Sequence, residues 1–265
     1  MPNNDYYYYC YATLEHYQQI ASGYDTHYEG LHTAVLPVIL DKLNLVKDDV
    51  LLDLGSGTGT LAENIKKQVK LTHNVICVEP NESMVSIAMK KGGIIAVHAT
   101  AEEFALKGIH TYHFNKVLLA FCLHHFIDSI EMIFEKLSEC LPVGGVCLIV
   151  ERQKKTSLPF FKTALEMHQK THANDFTPEQ WSSLASPKGF ALTSNEITLE
   201  YTMTKSLWYK TLHERYTTFL RQLTDELIEE GISELEMDGF QELKEDDEIP
   251  MKDPIIVHRL VKQCQ

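Results

Sequence analysis

The sequence predicts a doubly wound α/β fold. Five short runs are almost wholly apolar rather than alternating, as expected of strands covered by helices on both faces. Helix-like segments separate these runs, at a spacing that suits strand–helix–strand units around a parallel sheet. A cluster of glycines, Gly55, Gly57 and Gly59, directly follows the first run and opens a helix.

The elements read as follows along the chain. Residues 11–43 predict helices ahead of the first strand, 50–54 (VLLDL), and residues 60–69 predict the helix after it. The second strand is 75–79 (VICVE), with a helix over 83–91. Residues 94–98 (IIAVH) and 116–120 (KVLLA) give the third and fourth strands, and a helix near 127–140 follows. The turn Pro142-Val143-Gly144-Gly145 leads into the fifth strand, 146–150 (VCLIV). Beyond it, 156–187 reads as helical with a break at 174–178. Residues 195–203 alternate like a strand, 204–223 have helical spacing, and 255–261 (IIVHRLV) form a final strand.

Charge narrows the function. The chain has 24 Lys and Arg against 37 Asp and Glu, a net −13 over 265 residues. That balance opposes a surface built to neutralise nucleic-acid phosphates or to sit on an anionic membrane. The stretch 225–250 alone carries twelve acids and one base, Lys244, which leaves about −2 for everything else. The expectation there is a solvated helix followed by an acidic loop over 244–249. The tyrosine-rich N-terminus has neither the basic nor the apolar region of a signal peptide, and no apolar run suits a membrane span. Six cysteines occur without a CxxC pair, and Cys77 and Cys147 fall inside strand-like runs. Reduced core thiols and a cytoplasmic location are expected.

The stretch Asp53-Leu54-Gly55-Ser56-Gly57-Thr58-Gly59 lies at the carboxyl end of the first strand, where an open α/β sheet has its ligand crevice. Its spacing is G-x-G-x-G, not the dinucleotide G-x-G-x-x-G. Glu79 ends the second strand, 24 residues after Gly55, where a carboxylate can accept both hydroxyl protons of a ribose. Residues 98–104 (HATAEEF) follow strand three and 120–126 (AFCLHHF) follow strand four, at the other crevice positions.

This series of motifs resembles the class I S-adenosylmethionine-dependent methyltransferases over residues 17–151. VLLDLGSGTG is similar to the first motif of that family and VICVEPNESMVSIA to the next. ATAEEF, VLLAFCLHHF and LPVGGVCLIVE are similar to the adenine, strand-four and strand-five motifs. The resemblance implies a Rossmann-like seven-stranded sheet with the last strand antiparallel, and S-adenosyl-L-methionine as cofactor. It divides the chain into an N-terminal helical lid (1–45), a cofactor-binding core (46–151), a cap (152–250) and a final strand completing the sheet (251–265). By the same resemblance, Asp53, Gly55, Ser56 and Gly57 line the methionine part, Glu79 takes the ribose, and Pro80 and Asn81 flank the adenine. Thr100, Ala101 and Glu102 meet the adenine edge, although many members carry an aspartate at the place of Thr100. Ala120 and Phe121 lie beside the sulfonium, and Tyr24 in the lid folds over the cofactor.

Methyl transfer needs an oriented, desolvated acceptor, and a base only if the nucleophile keeps its proton. His125 and His124 are the candidate acid–base residues, because histidine titrates near working pH. Tyr17, Tyr28, His125, Trp208 and Arg215 are the candidate acceptor contacts, with Arg215 suited to an anionic substrate. The run Tyr6–Tyr9 reads as surface. His168 and His172 are four residues apart on a predicted helix, but nothing accompanies them at metal-ligand spacing, so no metal is expected. The expected function is methyl transfer to an O or N nucleophile of a small molecule. The alternatives are a protein, peptide or RNA methyltransferase, and a cofactor-binding protein or cyclase that does not methylate. The near-neutral core and acidic stretch oppose RNA.

Overall fold

A computed structural model describes residues 4–171 and 176–264, without the side chains of residues 4–14 and 178. The element order is α1 (Asn4–His27), α2 (Glu29–Leu43), β1 (Leu51–Leu54), α3 (Thr60–Val69), β2 (Val75–Glu79), α4 (Glu82–Ala88), β3 (Ile94–His98), α5 (Ala101–Glu103) and β4 (Lys116–Ala120). Next come α6 (Ile130–Cys140), β5 (Val146–Arg152), α7 (Lys162–Thr171), α8 (Pro178–Ala185), β6 (Phe190–Thr204), α9 (Lys205–His213), α10 (Asp225–Met237) and β7 (Glu248–Lys262). The strands form one sheet in the order β3-β2-β1-β4-β5-β7-β6. Strands β1 to β5 are parallel, and β7 runs antiparallel to both β5 and β6. The class read from the sequence is therefore the observed one.

The apolar runs are strands because both faces of the sheet are covered. Every residue of β1 and β2 is buried. On one face, Val35 and Ile39 of α2 and Ile65 of α3 pack against Leu51, Cys77 and Leu148. On the other, Ile133 and Phe134 of α6 and Trp181 of α8 pack against Leu52, Val117 and Ile149. Cys77 and Cys147 are buried free thiols, while the Cys10 side chain lies outside the described residues.

Several boundaries differ from the sequence reading. The first helix begins at Asn4, not near residue 11. The last two strands are 15 residues each, far longer than their apolar stretches. They pair along their whole length, from Phe190↔Lys262 to Thr204↔Glu248, so backbone pairing carries them through exposed polar positions. The acidic loop expected over 244–249 therefore ends early, because Glu248 and Ile249 already belong to β7. Within the stretch expected as cap, β6 is an edge strand of the sheet and α8 packs in the main core. A separate apolar cluster holds the rest of that stretch together: Phe160 and Phe161, Trp208 and Leu212 of α9, Phe219, and Ile228 of α10. Among the described residues no helix is long and apolar enough to cross a membrane, and no group of three or more His, Cys, Asp or Glu is placed to hold a metal.

Candidate active site

The order of the sheet reverses at β1, which has β2 on one side and β4 on the other. In such sheets the ligand crevice opens at the carboxyl ends of the strands at that point. A cleft of about 1050 Å³, part of it open to solvent, lies there. Asp53, Gly55, Ser56 and Gly57 line its β1 side, and Ala120, Phe121 and His124 its β4 side. Tyr17, Tyr24 and Tyr28 of the N-terminal helices close it from above, and Tyr216, Thr217, Thr218 and Phe219 close it from the cap.

Backbone geometry makes the glycine loop. Gly55, Gly57 and Gly59 all have positive φ (79°, 56° and 76°), which side chains disfavour. A Cβ on Gly55 would also stand 2.6 Å from the Cys122 Cβ. A Cβ on Gly57 would meet only the Met84 sulfur at 3.8 Å and the Tyr24 ring at 4.0 Å, so it would occupy the cradle under the lid. The loop is tied to β2 through Glu79. Its Oε2 accepts from the Gly57 N–H and its Oε1 from the Asn81 N–H, both at 2.9 Å. Each oxygen keeps acceptor capacity for a ligand hydroxyl.

Two buried carboxylates stand close together here. Burial raises Glu79 to about 7, against the lowering effect of its backbone hydrogen bonds. Burial also raises Asp53 to about 7, with the charge of Glu79 adding to it. A cationic, hydroxyl-bearing ligand in the cradle would offset both effects. These residues fit S-adenosylmethionine, with its ammonium, sulfonium and ribose.

Lid and loop are also joined by Asp25, which the sequence reading did not single out. Its carboxylate accepts from Thr58, from Thr60 at 2.7 Å and from Lys91 at 2.6 Å. Burial raises its pKa, but these donors outweigh burial and hold it below the usual carboxylate range. Tyr28 donates to the Tyr216 carbonyl at 2.7 Å, and His27 stacks on the Tyr216 ring at 3.7 Å, so lid and cap meet across the cleft.

The other expected site residues are placed as follows. His125 sits behind Tyr17, with its Nε2 3.2 Å from the phenol oxygen. Burial and the charge of Arg221 lower it to about 4, so it is neutral near pH 7. Pro80 accepts from His98 through its carbonyl, and Asn81 caps α4 by accepting from the Met84 N–H. Thr100 caps α5 in a reciprocal pair with Glu103, which commits its hydroxyl to the helix start. Ala101 and Glu102 follow in the first turn, beside β3 and apart from the large cleft. Trp208 is 2% exposed and packs on Phe160 inside the cap core, not toward the cleft. Arg215 is likewise a brace of the cap: it donates to the carbonyls of Leu223 and His213 and to Asp225. His168 donates its Nε2–H to the Gln153 carbonyl at 3.0 Å. His172 lies outside the described residues.

Arg152 was also missed. It ends β5, lines the cleft, and pairs through Nε with the fully buried Asp253 of β7 at 2.9 Å. Position at the carboxyl edge of a central strand was the available signal.

A parallel sheet with one antiparallel strand, a glycine cradle and an acidic strand end define the class of S-adenosylmethionine-dependent methyltransferases. A methyltransferase-domain family model matches residues 24–195, and the chain belongs to that family. The chain is 27% identical over 159 residues to the ubiquinone/menaquinone biosynthesis C-methyltransferase UbiE of Photorhabdus laumondii, covering 56% of this chain and 62% of that one. It is 25% identical to the enzyme of the same name from Vibrio parahaemolyticus, covering 56% and 60%. It thus spans about three fifths of the length of these curated relatives. Among solved structures, a putative methyltransferase from an antibiotic biosynthesis pathway of Anabaena variabilis superposes with a TM-score of 0.59 at 16% identity, over 84% of this chain and 95% of that one. The Haemonchus contortus phosphoethanolamine N-methyltransferase 2, in complex with S-adenosylhomocysteine, gives 0.53 at 18% identity, over 86% and 52%. At such identities the structures speak for the fold.

Proposed function

We propose that the protein transfers a methyl group from S-adenosylmethionine to a nucleophile of a small molecule. One observation carries the reading: the glycine loop, tied to Glu79 through Gly57, lines a cleft closed on two sides, by Tyr17, Tyr24 and Tyr28 and by the Tyr216–Phe219 segment. Glu79 would hold the ribose, and Asp53 with Gly55 and Gly57 the amino-acid end. Pro80, Asn81, Thr100, Ala101 and Glu102 would border the adenine.

When bound, S-adenosylmethionine supplies a methyl group already activated on a sulfonium, open to in-line displacement at an approach of about 3–3.5 Å. The chain's own residues then orient and desolvate the acceptor. Phe121 has a positive φ of 56°, an uncommon backbone state for an aromatic residue, and this aims its ring at the cleft. Tyr17, Tyr24 and Tyr28 cover the cleft from the lid, and Ala120 leaves room beside the reacting centre.

His125, lowered to about 4, is a weak base; its part is to fix Tyr17, whose hydroxyl it meets and whose side chain lines the cleft. His124 lines the cleft and is the remaining histidine candidate for proton transfer. An O or N nucleophile of moderate acidity suits this weakly basic site. The relatives named as C-methyltransferases favour a second reading, in which the nucleophile is carbon. A reaction with S-adenosylmethionine carrying ¹³C in its methyl group, supplied with a metabolite extract, separates these readings. The carbon shift of the product reports methyl on oxygen, nitrogen or carbon. Label found only in precipitated protein would favour a peptide acceptor instead, and absence of transfer would overturn the enzymatic reading.

A further inference from the structure

We propose that Arg152 is the recognition group for a carboxylate on the acceptor, so that the substrate is an organic monoanion with an apolar or aromatic body. The proposal rests on the methyltransferase reading above and adds its substrate class.

Arg152 is fixed on two sides. Its Nε donates to Asp253, which is 0% exposed and is also approached by the Tyr201 hydroxyl at 3.4 Å. Its guanidinium lies over the Phe121 ring, 5.5 Å from the centroid. The side chain is 19% exposed, lines the cleft and also hydrogen-bonds to Tyr201, so a ligand would meet the donors that Asp253 and Tyr201 leave over. A guanidinium held by one edge and one face is already oriented for a carboxylate at its remaining edge. Its charge reaches the N-terminal helices as well: burial raises Tyr24 and Tyr28, which Arg152 partly opposes, and burial lowers His27 and His32, to which Arg152 adds.

Sheet order separates this group from the cofactor's own carboxylate. Strand β4 lies between β1 and β5, so the glycine loop and the base of Arg152 stand two strand spacings apart, about 10 Å. Asp253 is on β7, on the far side of β5, and it draws the arginine away from the loop. Stoichiometry selects the anion. Among the described residues lining the cleft, Arg152 is the one arginine or lysine, against the acids Asp53 and Glu151. A phosphate dianion would meet too little positive charge. Phe121, Tyr28, Tyr216 and Phe219 supply the surface for the body of the molecule. The anion-binding role that the sequence suggested for Arg215 thus passes to Arg152, because Arg215 spends its donors within the cap.

The test is calorimetry on the full chain loaded with S-adenosylhomocysteine. The probes are benzoate and hexanoate, each beside its primary amide, and inorganic phosphate. The expected result is binding of a carboxylate over its amide and over phosphate. Arg152→Gln should weaken that binding by about tenfold or more, with S-adenosylhomocysteine affinity unchanged. Arg152→Lys should recover part of the loss. Because Arg152→Gln leaves Asp253 buried without its partner, the double variant Arg152→Gln/Asp253→Asn serves as the folded control, and it too should lose carboxylate binding. Equal binding of acid and amide, binding of neither acid, or a preference for phosphate would overturn the proposal. So would an Arg152→Gln variant that weakens S-adenosylhomocysteine instead, since Arg152 would then serve the cofactor. Failure of the wild-type chain to bind S-adenosylhomocysteine would count against the methyltransferase reading itself, and it is read out separately in the loading step.

Discussion

The Lys91 ammonium stands 2.6 Å from the Asp25 carboxylate, joining the end of the first helix to the turn after α4 across 66 residues of sequence. Thr58 and Thr60 complete the cluster, so the first helix is clasped to the glycine loop, the proposed cofactor cradle. The pair is partly open to solvent, with Asp25 38% and Lys91 14% exposed, and an exposed pair of this kind contributes about 1 kcal/mol at most. Its importance is therefore positional.

Breaking that clasp should speed cofactor release more than it lowers stability. Asp25→Ala is expected to weaken S-adenosylhomocysteine by about fivefold, mainly through a faster off-rate, with thermal unfolding shifted only slightly. The swapped pair Asp25→Lys/Lys91→Asp should regain part of the affinity. Stopped-flow dissociation checks this, and an off-rate equal to wild type in Asp25→Ala would remove the clasp from the account.

Glu79 gives the sharpest binding prediction. Glu79→Ala removes the proposed acceptor for the ribose and also frees the Gly57 and Asn81 N–H groups. S-adenosylhomocysteine should bind more than about tenfold more weakly, since charge-assisted hydrogen bonds are lost. A dissociation constant unchanged by calorimetry would withdraw the ribose assignment.

The raised carboxylates predict a pH signature. Asp53 at about 7 lies above its unfolded value of 3.8, so the folded state holds an extra proton between those pH values. Its stabilising effect is full below about pH 4 and is lost as pH rises through about 7. Asp53→Asn should therefore gain thermal stability relative to wild type on going from pH 5 to pH 8. The neutral buried histidines act in the opposite sense. His27, lowered by burial to about 3, contributes stability above its unfolded 6.5 that is lost as pH falls toward 3. Melting curves of wild type, Asp53→Asn and His27→Gln across pH 4–8 separate the two.

Tyr17 and His125 should behave as one unit. Each single change, Tyr17→Phe or His125→Ala, is expected to lower turnover more than cofactor affinity. The double variant should cost little beyond either single one, as for residues sharing one hydrogen bond. Additive losses would mean that the two act separately.

The sheet was legible because its strands are buried on both faces, which writes them as unbroken apolar runs such as Val75–Glu79. The glycine loop was legible because positive φ at Gly55, Gly57 and Gly59 leaves few other residues possible. The long β6–β7 ladder was not. Pro250, Lys252 and Asp253 interrupt the apolar pattern of β7, and pairing with β6 supplies what the pattern lacks. Asp25–Lys91 and Arg152–Asp253 were hidden for a different reason. Each pair joins residues 66 or 101 positions apart, and spacing along the chain carries no trace of such contacts. Arg215 and Trp208 show the converse: residue type suggested acceptor contacts, but local packing of the cap absorbs both.

The central claim is methyl transfer to a small molecule in the cleft between lid and cap. The most direct measurement supplies the full chain with methyl-labelled S-adenosylmethionine and a fractionated cell extract, then follows the label. The expected result is formation of S-adenosylhomocysteine together with labelled product in the low-molecular-weight fraction, strongly reduced in Glu79→Ala at limiting cofactor. Label confined to protein or nucleic acid, or no S-adenosylhomocysteine with any fraction despite cofactor binding, would contradict it.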